Sequence, residues 1–209
     1  MIVKNLLVVN ERLDTRLLDQ ERKLKFNKIN DSYNFVLGNS SILVHYQKYK
    51  SVPYIDRPHQ GNALINIHDF QMEKTEREKI NMFLNKIFVK QRCIDLETLC
   101  IKYNEECWNI NFDIRVLSRN CNLYELLVKG LVETIKDIGI SVMFVPKCYY
   151  FIGIGDKIIR DPIMEEQKEM EWECCVVTAS ENEIVFIEKF GVDLSEDFII
   201  NNILDKIKN

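Results

Sequence analysis

From Trp108 to Val116 apolar residues fall on alternate positions (Trp108, Ile110, Phe112, Ile114, Val116), the period of a strand with one face buried. From Leu123 the period lengthens. Leu123, Leu126, Leu127, Gly130, Leu131, Thr134 and Ile135 share one helical face, and Glu125, Lys129, Glu133 and Lys136 are expected to point outward. The pattern therefore predicts a strand ending at Leu117 that feeds a crossover helix. A second amphipathic helix is predicted over residues 73–91, with Ile80, Phe83, Leu84, Ile87 and Phe88 on its apolar face. Its polar half begins acidic and ends basic at Lys86, Lys90 and Arg92, the order that the helix dipole favours.

Shorter alternating runs surround these two units. Residues 22–26, 33–37 and 41–46 read as strands of an antiparallel meander, with Asn30-Asp31 and Gly38-Asn39 at the turns. A proline-bounded loop (52–61) leads to a further strand at 62–70. Beyond the long helix the plan repeats, with strands at 141–145, 149–154, 157–161, 171–179 and 184–189. A closing helix is expected at 195–208, with Ser195 as its N-cap and Glu196 and Asp197 in its first turn. The fold class expected is α+β, one pseudo-duplicated domain over 1–209, with a first half at 1–139 and a second at 140–209.

The 209 residues suffice for one such domain with a sizeable core. A net charge of -4, from 28 Lys and Arg against 32 Asp and Glu, excludes the strongly basic footprint of a free-standing nucleic-acid binder, so any RNA contact is expected to be local. There is no run of eighteen apolar residues and no charged-then-apolar leader, which points to a soluble intracellular protein and no membrane partner. The seven cysteines are odd in number and lack a C-x-x-C pair, so they read as reduced core thiols. His45, His59 and His68 have no companion cysteine at ligand spacing, and neither a metal site nor a cofactor is expected. The acidic run Glu165, Glu166, Glu169, Glu171 and Glu173 reads as a solvated face rather than a magnesium site.

The join between the central strand and helix, Ser118-Arg119-Asn120-Cys121-Asn122, offers the chemistry of a helix N-terminus, where backbone N–H groups and a positive dipole end attract anions. Asn122 has the character of an N-cap, and Glu125 three residues later completes a capping-box pattern. The turn is expected to cap itself. An incoming phosphate would meet the Glu125 carboxylate and find only Arg119 as a cation.

Several segments together resemble one family. I-D-L-E-T-L-C-I, then C-W-N-I-N-F-D-I-R-V-L and N-x-N-L, resemble the ring subunits of the RNA exosome that share the RNase PH fold, and the Trp after the Cys is similar to the non-catalytic, eukaryotic branch. Arg12-Leu13-Asp14-Thr15-Arg16 resembles the family's R-x-D-G-R segment, with Thr15 in place of Gly. Leu37 to Ser41 resembles the L-G-x-T hairpin, and Asp56-Arg57-Pro58 lies in a segment similar to the P-x-x-x-R-x-x-E-G loop, with Gln60 at the acidic position. Asp161-Pro162 to Glu166 resembles D-P-T-x-x-E-E, and residues 184–191 resemble the C-terminal strand and Gly turn. Read without the family, Arg12, Asp14 and Arg16 form a surface ion-pair network.

The resemblance implies an RNase PH-like (ribosomal protein S5 domain 2-like) fold and a hetero-oligomeric six-member ring of RNase PH-like subunits. It further implies RNA-binding cap proteins, a separate hydrolytic nuclease to which RNA is led, and nuclear (nucleolar) and cytoplasmic residence with a part in rRNA processing. Catalytic members use phosphate as the nucleophile at an RNA 3′ end, held by a Gly-Thr-Arg turn. Asn120, Cys121 and Asn122 stand at that turn here, and the family's catalytic Asp falls near Glu173. The resemblance therefore implies a catalytically inert subunit, with Lys86, Lys90 and Arg92 as candidate RNA contacts. Two alternatives stay open: a phosphorolytic exoribonuclease with an altered site, and another inert position in the same ring.

Overall fold

The computed structural model describes residues 2–69, 71–120, 123–180, 183–192, 195 and 198–208. A short helix α1 (Ile2–Val8) is followed by β1 (Leu24–Ile29), β2 (Ser32–Leu37) and β3 (Ser40–Ser51), then β4 (Asn62–His68) and α2 (Lys74–Asn85). A π-helical turn, Lys86–Lys90, extends α2. Next come β5 (Cys100–Lys102), β6 (Glu106–Ser118) and α3 (Tyr124–Asp137). The second half holds β7 (Lys147–Ile154), β8 (Lys157–Arg160), α4 (Met164–Gln167), β9 (Trp172–Ser180) and β10 (Glu183–Gly191). A π-helical turn, Ile199–Leu204, then runs into α5 (Asp205–Lys208).

Two sheets result. The first has the order β1-β2-β3-β6-β4 with β5 paired to β6, and the second has the order β10-β9-β7-β8. Every pairing is antiparallel except β4 with β6, which runs parallel from Asn62↔Asn109 to His68↔Arg115. A parallel pair needs a crossover, and α2 supplies it between β4 and β6. This corrects the expectation that α3 is the crossover helix. α3 instead leaves the first sheet at β6 and delivers the chain to β7 in the second.

α3 makes contacts with β2 and β3 on one side and with β7 on the other. A helix between two sheets must bury more than one stripe. Accordingly Leu126, Leu127, Leu131 and Ile135 are buried as the period predicts, and Val128, Val132 and Glu125 are buried as well. Each fully buried Leu or Ile contributes about 1.5–3 kcal/mol from the apolar surface removed from water. The outward position expected for Glu125 is thus overturned by a second sheet that the local pattern does not reveal.

On β6 the alternation holds as expected. Ile110, Phe112 and Ile114 face the core, while Asn111 and Asp113 between them are half-buried on the opposite side. Trp108 is only half-buried, because it lies near the strand end with the ammonium of Lys48 4.6 Å from its ring centroid. The five apolar residues expected for the second helix are all buried. The segment 141–145 forms no strand and contributes only the isolated bridge Ile94↔Val142, with Pro146 directly behind it. A glycine is required in β7, where a Cβ at Gly153 would stand 2.0 Å from the Trp172 ring. Trp172 seals the far face of the second sheet with Phe151, Cys174, Val176 and Ile203. At the closing segment the Phe198 N–H donates to Ser195 Oγ at 3.2 Å, as expected of an N-cap, whereas Glu196 and Asp197 lie outside the described residues.

Two sequence motifs far apart in the chain meet in a clasp. The Arg12 guanidinium is buried and grips Glu166 with two bonds, Nε to Oε1 at 2.9 Å and Nη2 to Oε2 at 2.6 Å. Its remaining donors reach the carbonyls of Leu17, Arg160 and Asp161. Glu166 also accepts the N–H of Ile163, which starts α4. Beside it, Asp161 accepts from Arg16 Nη1 at 2.9 Å and from the backbone N–H of Arg22 at 2.7 Å. Arg12 is therefore buried, with Asp14 and Arg16 half-buried beside it, rather than part of a surface network, and Glu166 does not belong to a solvated acidic face. Thr15 keeps the left-handed backbone expected of a glycine, with φ at 64°.

Candidate functional site

The turn after β6 and the strand β9 frame one cleft of about 590 Å³. β6 ends at Ser118, so Arg119 projects from the rim, and Glu173 is the second residue of β9, where alternation turns it toward α3. Arg119 and Glu173 both line this cleft. Cys121 and Asn122 lie outside the described residues, and with them the proposed N-cap. Asn120 is held at the mouth of the turn by its N–H, which donates to Ser40 Oγ at 3.0 Å.

The cleft carries Glu73, Glu76 and Glu173 against Lys79 and Arg119. Arg119 forks onto Glu76 of α2, Nη1 to Oε2 at 3.0 Å and Nη2 to Oε1. The hydrogen bonds that Arg119 donates to Glu76 hold its pKa above the ordinary value. This pair bridges α2 and the turn, and its guanidinium already faces a carboxylate. Lys79 stands 5.4 Å from the centroid of the Phe190 ring.

On the opposite wall the Tyr150 hydroxyl donates to Glu173 Oε2 and accepts from Gln167 Nε2 at 3.3 Å. Burial, and then the charge of Glu173, push the Tyr150 phenol far above its ordinary pKa, so it stays a neutral donor. Its ring stacks on Tyr124 with centroids 6.0 Å apart. Glu76, Lys79, Tyr124, Tyr150, Gln167 and Phe190 are among the lining residues that sequence reasoning missed. Only the turn and the acid carried a pattern; the others arrive from α2, α3, β7, α4 and β10 through tertiary packing.

Below the cleft Glu125 is fully buried. Its Oε1 accepts the Tyr150 backbone N–H at 2.8 Å, and its Oε2 lies 3.3 Å from Lys129 Nζ. Burial outweighs the nearby lysine and pushes its pKa up to about 7. Glu125 therefore ties α3 to β7 rather than capping its own helix, and its charge at neutral pH is only partial.

Lys86, Lys90 and Arg92 do not line this cleft. All three are exposed at the end of the extended α2. Lys86 Nζ sits 4.8 Å from the centroid of the Phe186 ring on β10, while Arg92, with φ at 58°, borders a separate hollow with Gln60, Asp95 and Met143. Glu165, Glu169 and Glu171 are not among the residues that line the cleft with Glu173. Among the described residues no group of three or more His, Cys, Asp or Glu could hold a metal ion, and no helix is long and apolar enough to cross a membrane. Cys93, Cys100, Cys107, Cys148, Cys174 and Cys175 are free thiols, with Cys121 outside the described residues.

No family model matches the chain. It is 23% identical over 217 residues to the exosome complex component Rrp42 of Methanosarcina acetivorans, covering 91% of this chain and 82% of that one. It is 22% identical over 225 residues to the exosome complex component rrp45 of Schizosaccharomyces pombe, covering 90% of this chain and 77% of that one. Among solved structures it matches a chain of the Archaeoglobus fulgidus exosome with RNA bound to the active site, at a TM-score of 0.82 and 22% identity over 98% of this chain and 91% of that chain. The chain has the RNase PH-like α+β fold of exosome core chains, and its sequence is similar to exosome complex components along about nine-tenths of its length.

Proposed function

We propose that the chain is a non-catalytic subunit of an exosome core ring, where it supports 3′-to-5′ RNA degradation by helping lead RNA to a separate nuclease. The observation that carries the inert reading is the Arg119–Glu76 fork, which occupies the cation nearest the degenerate turn in a cleft holding three carboxylates and two cations. A phosphate nucleophile needs converging cations and donors to offset its charge. Here its approach costs repulsion from Glu73, Glu76 and Glu173. The partners in this reading are other RNase PH-like chains, RNA-binding cap proteins, a hydrolytic nuclease and RNA.

Both the 45 type and the 42 type of ring position fit the names of the relatives. The Trp108 feature is shared by both types, so the neighbours in the ring decide between them; the 45 type carries with it the proposal of nuclear and cytoplasmic residence and a part in rRNA processing. Cross-linking of the assembled ring assigns the position by its two neighbours, and a fluorescent tag assigns the residence.

A second reading, phosphorolysis with an altered site, draws support from Glu173 facing the same cleft as Lys79 and Arg119. The deciding assay incubates the purified chain with end-labelled RNA, with and without inorganic phosphate. No release of nucleoside diphosphates is expected. Phosphate-dependent release that is lost in Glu173→Gln would overturn the inert reading.

A further inference from the structure

The outer faces of the two sheets are treated differently. The second sheet is covered on its far side by Phe198, Ile199, Ile203, Leu204 and Ile207 of the closing segment. Across the first sheet, the registers place Asn27, Asn34, Asn62, Asn66, Asn109 and Asn111 on the face away from α2 and α3. Asparagine is disfavoured in strands, so six on one sheet face carry a backbone cost that solvation alone, met equally by Thr or Lys, does not explain.

In the middle of this face lies a hollow of about 650 Å³, within the range of small-ligand sites, lined by Ser32, His45, Gln47, His68, Asp113 and Arg115 around Leu43. Both imidazoles are held in place, His45 Nδ1 at 3.1 Å from Ser32 Oγ and His68 Nε2 at 3.1 Å from Asp113 Oδ1. The one carboxylate of the hollow is thereby engaged. Arg115 is exposed and, among the described residues, makes no ion pair. In a chain with more acids than bases, this hollow sets an arginine and two imidazoles against a single, already bonded aspartate. The hollow lies on the opposite side of the first sheet from the cleft of Arg119 and Glu173.

We propose that this hollow binds a nucleotide unit, with Arg115 taking the phosphate by the bidentate bonds guanidinium favours and the amide and imidazole groups meeting the base edge. The shared chemistry is a phosphate joined to a hydrogen-bonding base, supplied by a single-stranded RNA or by a free mononucleotide. The RNA source rests on the ring-subunit reading; the site itself does not.

The test uses the full chain, a fluorescein-labelled mixed-sequence RNA 12-mer followed by anisotropy, and adenosine monophosphate followed by backbone amide NMR shifts. Shifts centred on β3, β4 and β6 are expected, with affinity falling about tenfold in Arg115→Gln and several-fold in His45→Gln. Thermal unfolding of both exposed-face variants is expected to match the parent. Stronger binding of the 12-mer than of the mononucleotide supports the site and assigns it to RNA; equal binding supports it and assigns it to free nucleotide. Absence of binding to either, capture of a protein by this face without nucleotide binding, or affinity unchanged in Arg115→Gln overturns the site. RNA affinity that survives Arg115→Gln and falls in Lys86→Gln/Lys90→Gln removes this site while leaving the ring reading intact.

Discussion

Thr15 sits at a φ of 64°, a backbone region that costs a residue with a Cβ about 1–2 kcal/mol and a β-branched one at least as much. Its Oγ1 donates to the Asp14 carbonyl at 2.7 Å, which offsets part of that cost. Thr15→Gly removes the strain while adding freedom to the unfolded chain, so a net gain of about 0.5–1 kcal/mol is expected in urea unfolding. The same measurement at several pH values addresses Glu125. Its folded pKa of about 7 lies above the ordinary carboxylate value, so between those two pKa values the folded state holds the proton that the unfolded state releases. The resulting stabilisation is complete below the unfolded pKa and is lost as pH rises toward 7, at up to about 1.4 kcal/mol per pH unit inside that window. Glu125→Gln keeps an acceptor for the Tyr150 N–H and has no charge to desolvate. Relative to the parent it is therefore expected to gain stability progressively from pH 5 to about pH 7 and to level off above; a difference that stays flat across that window contradicts the burial account. At this scale the sequence showed Thr15 as a departure from glycine but hid Glu125, because a carboxylate at the third position of an apparent capping box looks identical whether the helix faces water or a second sheet.

Among the elements, those with one buried face were legible. β6 has water on one side and core on the other, so its period of two is written plainly in Ile110, Phe112 and Ile114. The extended α2 covers the first sheet with a single stripe and was equally readable. α3, wedged between sheets, was located correctly but misjudged in its surroundings. Segment 141–145 misled because its alternating residues satisfy a strand pattern, yet only Val142 finds a bridging partner, Ile94, almost fifty positions away. The clasp between residues 12–22 and 160–166 was visible as two motifs and invisible as a contact, since separations of about 140–150 positions leave no trace in local periodicity. Its energetics follow from burial: Arg12 and Glu166 have no exposed side-chain surface. Removing one partner strands the other charge in the interior, and Glu166→Leu is expected to cost about 3–5 kcal/mol. The double variant Arg12→Met/Glu166→Leu leaves no unpaired charge and is expected to regain much of that loss. A double-mutant cycle by chemical unfolding checks both values, and additive losses contradict the account.

For the whole molecule, the architecture is a pair of sheets with α3 between them, one outer face sealed by the closing segment and the other left polar. That division matches the α+β fold expected from two strand-and-helix halves, and the fold agrees over nearly the full chain with an archaeal exosome chain. The cleft between α2, α3 and β9 was legible to the extent of Arg119 and Glu173, which lie in recognisable segments. The rest of its lining comes from five separate elements and needed the tertiary structure. The Arg119–Glu76 pair in the cleft supports the proposed role in assembly rather than chemistry, and assembly is the central claim. The most direct test is affinity purification of the tagged chain from its own cells, followed by mass spectrometry and cross-linking of the recovered complex. The account predicts recovery of other RNase PH-like chains in a six-member ring, with cap proteins and a hydrolytic nuclease attached. Recovery of the chain alone, or only with copies of itself, would contradict it.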